Sequence, residues 1–221
     1  MNQKPIFLFG THKSGTSLLR NIFNGHSQIF TMPIETHFFQ NMHFWVDNEY
    51  RTERPQQLDS EQRIERFYEA IHRYNTSKDL YSDSISKGIF DEELFRKKFS
   101  EIQEDDSIKV LLEKYFNAIH LSTTKTELLD TIRIVEKSVE HAEFASDLQA
   151  MYPDASFIHI VRNPYSNIVS MRRFKSKTHG FPIMSRILKT LYNNFYFLYR
   201  NQRLIHRYLT VSYTHLRAHE T

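Results

Sequence analysis

The sequence contains no cysteine, which excludes a disulfide framework and thiolate metal sites. Glycine is also scarce, with only 5 among the 221 residues, so a short loop that holds two of them stands out. No apolar run reaches the length of a membrane-spanning helix, and the first residues do not have the pattern of a leader peptide. These absences favour a soluble, cytoplasmic protein.

Neither charge is present in large excess. Lysine and arginine number 29 against 26 acidic residues, which gives a net charge of +3. This surplus is too small to indicate a nucleic-acid partner, and the sequence contains no DNA- or RNA-binding motif. With 40% hydrophobic and 25% charged residues, the composition is that of a globular protein, and we expect one domain over residues 1–221.

The stretch Pro5–Phe23 has the pattern of a strand, a tight loop and a helix. Ile6–Phe9 is apolar and strand-forming, Gly10–Gly15 is small and polar, and apolar residues recur at helical spacing over Leu18–Phe23. Such a loop directs the unpaired amide groups of the helix start, and the positive end of its dipole, at one point. The pattern therefore predicts a phosphate-binding site, although a plain turn between strand and helix is equally compatible with it.

The loop departs from the Walker pattern, because Thr16 occupies the lysine position and the only lysine, Lys13, precedes Gly15. It instead resembles the 5′-phosphosulfate-binding loop of sulfotransferases that use 3′-phosphoadenosine 5′-phosphosulfate, in which Lys or Arg precedes S-G-T-[ST]. The resemblance implies a set of donor-binding residues in this loop. They are His12, Lys13, Ser14, Gly15, Thr16 and Ser17.

A second motif follows the β-rich run Ser156–Val161. Arg162 begins an R-N-P sequence, and Ser170 comes eight residues after it. In the same sulfotransferases an R-[DN]-P at a strand end, with a serine at this distance, holds the 3′-phosphate of the nucleotide. The resemblance thus assigns Arg162 and Ser170 to that phosphate, and guanidinium and hydroxyl donors suit phosphate oxygens.

The residues of this motif also predict a helix and its orientation. Pro164 suits the first turn of a helix, and Asn163 can cap it. Helical spacing would turn one set of side chains towards the sheet and another set away from it. The first set is Tyr165, Ile168 and Val169, and the second is Ser166, Ser170 and Arg173.

A catalytic base is expected after the next short strand, Gln28–Met32. In the tyrosylprotein sulfotransferases, which this stretch resembles with a one-residue offset, an acidic residue serves as base, and Glu35 is the candidate. Neighbouring phenylalanines would raise the pKa of its carboxyl towards the working range. A structural role for Glu35 at the start of the next helix is equally open. His37 is the competing base, with His12 and His43 more distant choices.

A lysine marks the end of another predicted strand, Thr131–Val135. Sulfotransferases of the tyrosylprotein and carbohydrate types carry a lysine at this strand end, directed at the phosphosulfate, and Lys137 matches it. The carboxyl ends of parallel strands are where open α/β sheets bind ligands. A surface lysine is an equal alternative.

Between these motifs, from residue 40 to about residue 124, the sequence predicts a helical insertion. Three amphipathic stretches have helical periodicity: Glu61–Tyr74, Glu92–Ile102 and Ile108–Leu121. Aromatic residues at its start either line an acceptor pocket or, more commonly, belong to a core. They are Phe38, Phe39, Phe44 and Trp45.

The end of the chain predicts a long helix over Ser185–Tyr208 and a strand over Tyr208–Tyr213. Residues 214–221 resemble read-through of a sequencing adapter, which implies a non-native tail and a truncated reading frame. The resemblance to sulfotransferases therefore covers about Pro5 to Tyr213.

Together the motifs predict an α/β fold: a three-layer parallel sheet with a P-loop-like phosphosulfate-binding loop and a helical insertion. The implied enzyme transfers a sulfuryl group from 3′-phosphoadenosine 5′-phosphosulfate to a carbohydrate, peptide, lipid or small-molecule acceptor, leaving adenosine 3′,5′-bisphosphate. Lys13, Glu35 and Lys137 are the predicted catalytic residues, and no metal is expected. The alternatives are a P-loop-type small-molecule kinase and a non-catalytic nucleotide-binding module.

Overall fold

The computed structural model describes residues 4–42, 58–76, 89–179 and 184–217. They belong to two compact units. The first, here called the sheet unit, comprises Met1–Thr31 and Arg133–Thr221, and the second, the helical unit, comprises Met32–Ile132. In chain order the α-helices are α1 (Thr16–Phe23), α2 (Phe38–Asn41), α3 (Ser60–Thr76), α4 (Glu92–Phe99), α5 (Ile108–Thr124), α6 (Ala145–Met151), α7 (Pro164–His179), α8 (Met184–Leu204) and α9 (Tyr213–Arg217).

The sheet unit is built on five parallel strands in the order β2-β3-β1-β4-β5. All strands therefore end at the same edge, where open α/β sheets bind their ligands. This arrangement confirms the predicted parallel α/β fold. The strands are β1 (Ile6–Gly10), β2 (Ile29–Thr31), β3 (Arg133–Lys137), β4 (Ser156–Val161) and β5 (Tyr208–Ser212).

Both faces of β1 are covered, as expected for a central strand of a parallel sheet. On one face Ile6 and Leu8 pack with Leu19 of α1 in a buried cluster. On the other face Phe7 lies 5.6 Å from Phe157 and 6.1 Å from Tyr152, measured between ring centroids. The alternation follows from the two-residue period of a strand and explains why β1 consists almost entirely of apolar residues.

The helical unit has an aromatic core, in keeping with the three amphipathic stretches of the sequence. Phe67 of α3 and Tyr115 of α5 have ring centroids 4.5 Å apart, and Phe38 lies 5.7 Å from Phe67. Phe38 and Phe39 are both buried in this core, which is the alternative to an acceptor pocket. The other two aromatic candidates, together with the third-choice base, lie outside the described residues. They are Phe44, Trp45 and His43.

A polar network links α3 to the start of α4. The Glu92 carboxylate accepts hydrogen bonds from the Tyr68 hydroxyl at 3.1 Å and the Asn75 amide at 2.8 Å, and it lies 2.8 Å from Nδ1 of His72. These hydrogen bonds lower the pKa of Glu92 although its partial burial opposes them. Glu92, in the first turn of α4, therefore does more than complement the helix dipole.

Helix α7 corrects one prediction. Asn163 caps it as expected, accepting from the amides of Tyr165 and Ser166. The expected orientation is wrong, however, because Tyr165 is 80% exposed and Val169 is also exposed. Asn167, only 1% exposed, faces inwards instead, since its Nδ2 donates a hydrogen bond of 2.9 Å to a backbone carbonyl of the loop after β1.

The ends of β3 and of α8 also differ from the sequence-based expectation. Strand β3 continues to Lys137, so this lysine is the last strand residue and not a residue beyond the strand. The stretch after it is a 3₁₀ helix over Val139–Phe144 that precedes α6. Helix α8 ends at Leu204, four residues earlier than predicted. Residues 214–217 belong to α9 and residues 218–221 lie outside the described part, so the non-native tail stays a prediction.

Candidate active site

The loop between β1 and α1 is a tight turn with two residues in the left-handed region. Lys13 has a φ of 63° and Gly15 a φ of 101°. The Ser14 amide donates to the Thr11 carbonyl at 3.0 Å, and the Leu19 amide donates to the Gly15 carbonyl to begin the helix. The turn therefore ends where the first amides of α1, which have no partner inside the helix, emerge.

Both positions of the loop require glycine, because neighbouring atoms lie too close for a side chain. A Cβ at Gly10 would lie 2.7 Å from Ser14 Oγ and 2.9 Å from the Ile160 carbonyl oxygen. A Cβ at Gly15 would overlap the ring of Tyr213. The scarcity of glycine in the sequence thus coincides with a real constraint at both positions.

The loop fits an anionic group. Ser14 is 1% exposed, and its buried hydroxyl makes no hydrogen bond within the described structure. Buried hydroxyls of this kind are rare without a partner, so an acceptor oxygen is expected beside it. Helix α1 has no acidic residue in its first turn that would occupy or repel such a ligand.

Three cationic side chains belong to the same edge of the sheet unit. Arg162, directly after β4, donates from a terminal guanidinium nitrogen to the Lys13 carbonyl at 2.8 Å and stacks on the Tyr213 ring, 4.6 Å from its centroid. Lys137 is 2% exposed, with Nζ 3.5 Å from Ser17 Oγ. The Lys13 ammonium lies 3.9 Å from the centroid of the Phe174 ring.

The remaining predicted donor-binding residues lie in the loop, at the start of α1 and on α7. His12 Nε2 lies 2.9 Å from a carboxylate oxygen of Glu140. Thr16 is buried as the first residue of α1. Ser170 is half-buried on α7, two turns after Arg162. The structure therefore brings the loop, Arg162 and Lys137 together, and it assigns to His12 an acidic neighbour that the sequence did not suggest.

Two buried polar clusters behind the site were missed from the sequence. The Glu136 carboxylate, next to Lys137, accepts from the Ser138 hydroxyl and lies 3.2 Å from His141 Nδ1, all three residues being buried. The second cluster contains His159, whose pKa is lowered by burial to about 4. The only signals for them were single charged or polar residues in otherwise apolar strand sequences.

The candidate bases belong to the helical unit. Glu35 and His37 form a pair, with Oε2 and Nε2 3.5 Å apart. His37 precedes α2 with a left-handed φ of 44°, and the Tyr74 hydroxyl donates to the Glu35 carbonyl at 3.0 Å. The contact between Glu35 and His37, the residue that precedes α2, is of the kind that a structural role for Glu35 would involve, and it is equally compatible with a role as base. The two residues that compete for the role of base are thus neighbours of each other.

The family follows from a comparison with known proteins. Residues 5–221 match the model of a sulfotransferase family. The chain belongs to that sulfotransferase family. The family generally uses 3′-phosphoadenosine 5′-phosphosulfate as its sulfuryl donor, which agrees with the resemblance of the loop. A search of curated proteins finds no match.

Solved sulfotransferases share the fold. Sulfotransferase STF9 from Mycobacterium avium superimposes with a TM-score of 0.52 at 16% identity, over 96% of this chain and 59% of its own. Sulfotransferase STF1 from Mycobacterium tuberculosis gives a TM-score of 0.53 at 13% identity, over 98% of this chain and 64% of its own. A sulfotransferase domain from the curacin biosynthetic pathway gives a TM-score of 0.50 at 21% identity, over 96% of this chain and 67% of its own. The chain thus spans about three fifths to two thirds of these solved proteins.

Among the described residues, no helix combines the length and the apolar character that a membrane span requires.

Proposed function

We propose that this chain transfers a sulfuryl group from 3′-phosphoadenosine 5′-phosphosulfate to an acceptor hydroxyl or amine. One observation carries the proposal: the Arg162 guanidinium hydrogen-bonds the Lys13 carbonyl at 2.8 Å. Two motifs separated by 149 residues in sequence, each typical of one phosphate of the donor, therefore adjoin. A single bisphosphate nucleotide requires two such anion-binding elements near each other.

Each residue of this edge has a proposed task. The loop amides, the buried Ser14 hydroxyl and Lys13 bind the 5′-phosphate end of the donor. Arg162 and Ser170 bind its 3′-phosphate through charge-assisted and neutral hydrogen bonds. The tasks of His12, Thr16 and Ser17 are to shape and line the loop, and the loop conformation agrees with this.

The donor supplies an activated sulfuryl group whose departure leaves negative charge on the 5′-phosphate. Lys13 and Lys137 stabilise that charge, and the low exposure of Lys137 strengthens its effect. Glu35 removes the proton of the acceptor, with His37 as the alternative base. The acceptor is a carbohydrate, a peptide, a lipid or another small molecule.

Isothermal titration calorimetry separates this function from that of a P-loop-type kinase. We expect adenosine 3′,5′-bisphosphate to bind more tightly than magnesium–ATP. Arg162→Ala should weaken binding of the bisphosphate at least tenfold, because a guanidinium–phosphate contact is lost. Arg203→Ala is the matched control, since Arg203 also stacks on a tyrosine, at 3.8 Å from the Tyr199 centroid, but on α8. Tighter binding of magnesium–ATP, or equal effects of both variants, would count against the assignment.

The non-catalytic alternative is tested by a turnover assay carried out after the same titration. A nucleotide-binding module would bind the bisphosphate and be sensitive to Arg162→Ala, but would transfer no label from a labelled donor to any acceptor in a screen. Transfer to one acceptor class both excludes that alternative and identifies the substrate.

A further inference from the structure

A buried hydrogen-bond chain connects the start of the phosphate-binding loop to α8. The Thr11 hydroxyl donates to Asn194 Oδ1 at 2.7 Å, and His159 Nε2 lies 3.1 Å from the same oxygen. The other ring nitrogen, His159 Nδ1, lies 2.6 Å from the Tyr208 hydroxyl. Asn194 is 9% exposed and His159 fully buried, so water competes little for these groups.

The protonation of this chain follows from its burial. The pKa of His159 is about 4, so the ring is neutral near pH 7 and carries one hydrogen. Because Asn194 Oδ1 can only accept, that hydrogen is on Nε2, and Nδ1 accepts from the Tyr208 hydroxyl. Burial raises the pKa of Tyr208, which keeps this donor protonated. Every hydrogen in the chain therefore has a defined acceptor.

Thr11 transmits this arrangement to the loop. Its hydroxyl is held by Asn194, and its carbonyl accepts the hydrogen bond from the Ser14 amide. Ser14 is the residue whose buried hydroxyl has no partner in the described structure. The residues after it supply the backbone amides at the start of α1. One side chain of α8 thus fixes the residue from which the turn is built.

We propose that Asn194 is a positioning residue of the donor site, which holds Thr11 so that the loop amides and the Ser14 hydroxyl converge on one anion. The proposal rests on the proposed function, because it gives the loop a nucleotide to bind. It extends the site to a helix that contains none of the predicted donor-binding residues. Pre-organised donors lose little freedom on binding, so loosening them should weaken the ligand.

Helix α8 offers a matched control on the same face. Asn201, two turns after Asn194, is also buried, and its Nδ2 donates to the Ala142 carbonyl at 2.7 Å. Asn201 also hydrogen-bonds the Tyr208 side chain at the far end of the hydrogen-bond chain. Asn201→Leu therefore removes buried hydrogen bonds from the same helix but leaves the hydrogen bond between Thr11 and Asn194 in place. Any general loss of stability appears in both variants, whereas a loss of loop order appears in Asn194→Leu alone.

The first test is hydrogen exchange of the loop amides in the ligand-free protein. We expect Asn194→Leu and Thr11→Val to speed exchange of the Ser14 amide and the following loop amides at least tenfold. Thr11→Ser, which keeps the hydroxyl, and Asn201→Leu should exchange like the wild type at these amides. Wild-type exchange in Thr11→Val, or equal acceleration in Asn201→Leu, would overturn the proposal. Thr11→Val serves even if Asn194→Leu fails to fold.

The second test is the affinity for adenosine 3′,5′-bisphosphate, measured by titration calorimetry. We expect about a tenfold weaker Kd in Asn194→Leu and in Thr11→Val, with no further loss when the two are combined, because both remove the same link. Additive losses in the double variant would contradict a path through Thr11. A wild type that binds no bisphosphate would overturn the proposed function alone, since the exchange experiment still decides whether Asn194 orders the loop.

Discussion

Lys13 adopts a left-handed backbone conformation, with a φ of 63°, that residues other than glycine adopt rarely. Such a conformation costs about 1 kcal/mol or more and is common at functional sites. Here it orients the Lys13 carbonyl to accept from Arg162, while the ammonium group lies over the Phe174 ring. The backbone and the side chain of one residue thus serve two parts of the site.

Lys13→Ala is therefore expected to lower the rate of sulfuryl transfer by at least about 100-fold, as the loss of one preorganised charge does in other enzymes. The free energy of unfolding should change by less than about 1 kcal/mol, because the stacking contact with Phe174 is partly exposed. A labelled-donor assay and urea denaturation measure the two quantities. Lys13→Arg keeps the charge and should retain more activity than Lys13→Ala, and the reverse order would refute an electrostatic role.

Because Glu35 and His37 are neighbours, substituting them one at a time tests which of the two is the base. Glu35→Gln keeps the shape of the side chain but removes its basicity, so we expect transfer to slow by about 100-fold or more with an unchanged Kd for the bisphosphate. His37→Ala should then have a smaller effect on transfer. If His37→Ala abolishes transfer and Glu35→Gln does not, His37 is the base.

His159 gives the protein an acid-sensitive stability. Its pKa is lowered by burial from its ordinary value of 6.5 to about 4, so below pH 6.5 the unfolded chain takes up a proton that the folded chain refuses. Stability is therefore full above pH 6.5 and falls towards pH 4, by about 3 kcal/mol in total at about 1.4 kcal/mol per pKa unit. In urea denaturation between pH 7.5 and 4.5, the free energy of unfolding should decline less steeply for His159→Gln than for the wild type. Equal slopes would mean that His159 titrates normally.

At the scale of elements, the strand-loop-helix unit of β1 and α1 was predictable because its pattern is local. The apolar run, the two glycines and the helical period are all contained within 19 residues. The end of β3 was not predictable, since Glu136 and Lys137 are charged and charged residues are rarely buried in a strand. Their burial depends on Ser138, His141 and Ser17, which are contacts that no local pattern encodes.

Helix α7 shows the same limit in the choice of its buried face. Apolarity favoured Tyr165 and Val169 as the inward residues, yet Asn167 takes that place because it satisfies the carbonyl of His12. This hydrogen bond is part-buried and joins α7 to the loop, which a count of apolar residues along the helix does not register. The hydrogen bond links residues 155 positions apart, so the sequence alone could not reveal it.

The two faces of α7 can be compared by truncation. Asn167→Ala is expected to lower the free energy of unfolding by about 1–3 kcal/mol, because it removes the hydrogen bond between the buried Asn167 side chain and the His12 carbonyl. Tyr165→Ala on the exposed face should change it by less than about 0.5 kcal/mol. Urea denaturation of both variants measures the difference, and a larger effect of Tyr165→Ala would restore the sequence-based orientation.

At the scale of the whole molecule, the chain separates into a sheet unit and a helical unit, and the residues with proposed roles are divided between them. The described anion-binding candidates belong to the sheet unit, and Glu35 and His37 belong to the helical unit. The predicted insertion from 40 to about 124 falls within Met32–Ile132, and its helices follow from their amphipathic periodicity. Its outer limits were less visible, because the short segments beside β2 and β3 have no such period.

The division of tasks predicts how a nucleotide stabilises the molecule. At about 100 times its Kd, adenosine 3′,5′-bisphosphate should stabilise the folded state to which it binds by about 2.7 kcal/mol, through mass action. Because the proposed ligands are in the sheet unit, amides of the loop after β1 and of the start of α7 should show the largest slowing of hydrogen exchange. Amides of α3 and α5, in the aromatic core, should change less.

Hydrogen exchange resolves these segments separately, whereas a melting temperature does not report which segments the nucleotide protects. Arg162→Ala provides the control, since it should reduce the slowing in the loop and in α7 together if one nucleotide spans both motifs. If that variant abolished protection at the start of α7 but left the loop fully protected, the two motifs would be independent anion sites. The shared nucleotide on which the sulfotransferase proposal depends would then be excluded.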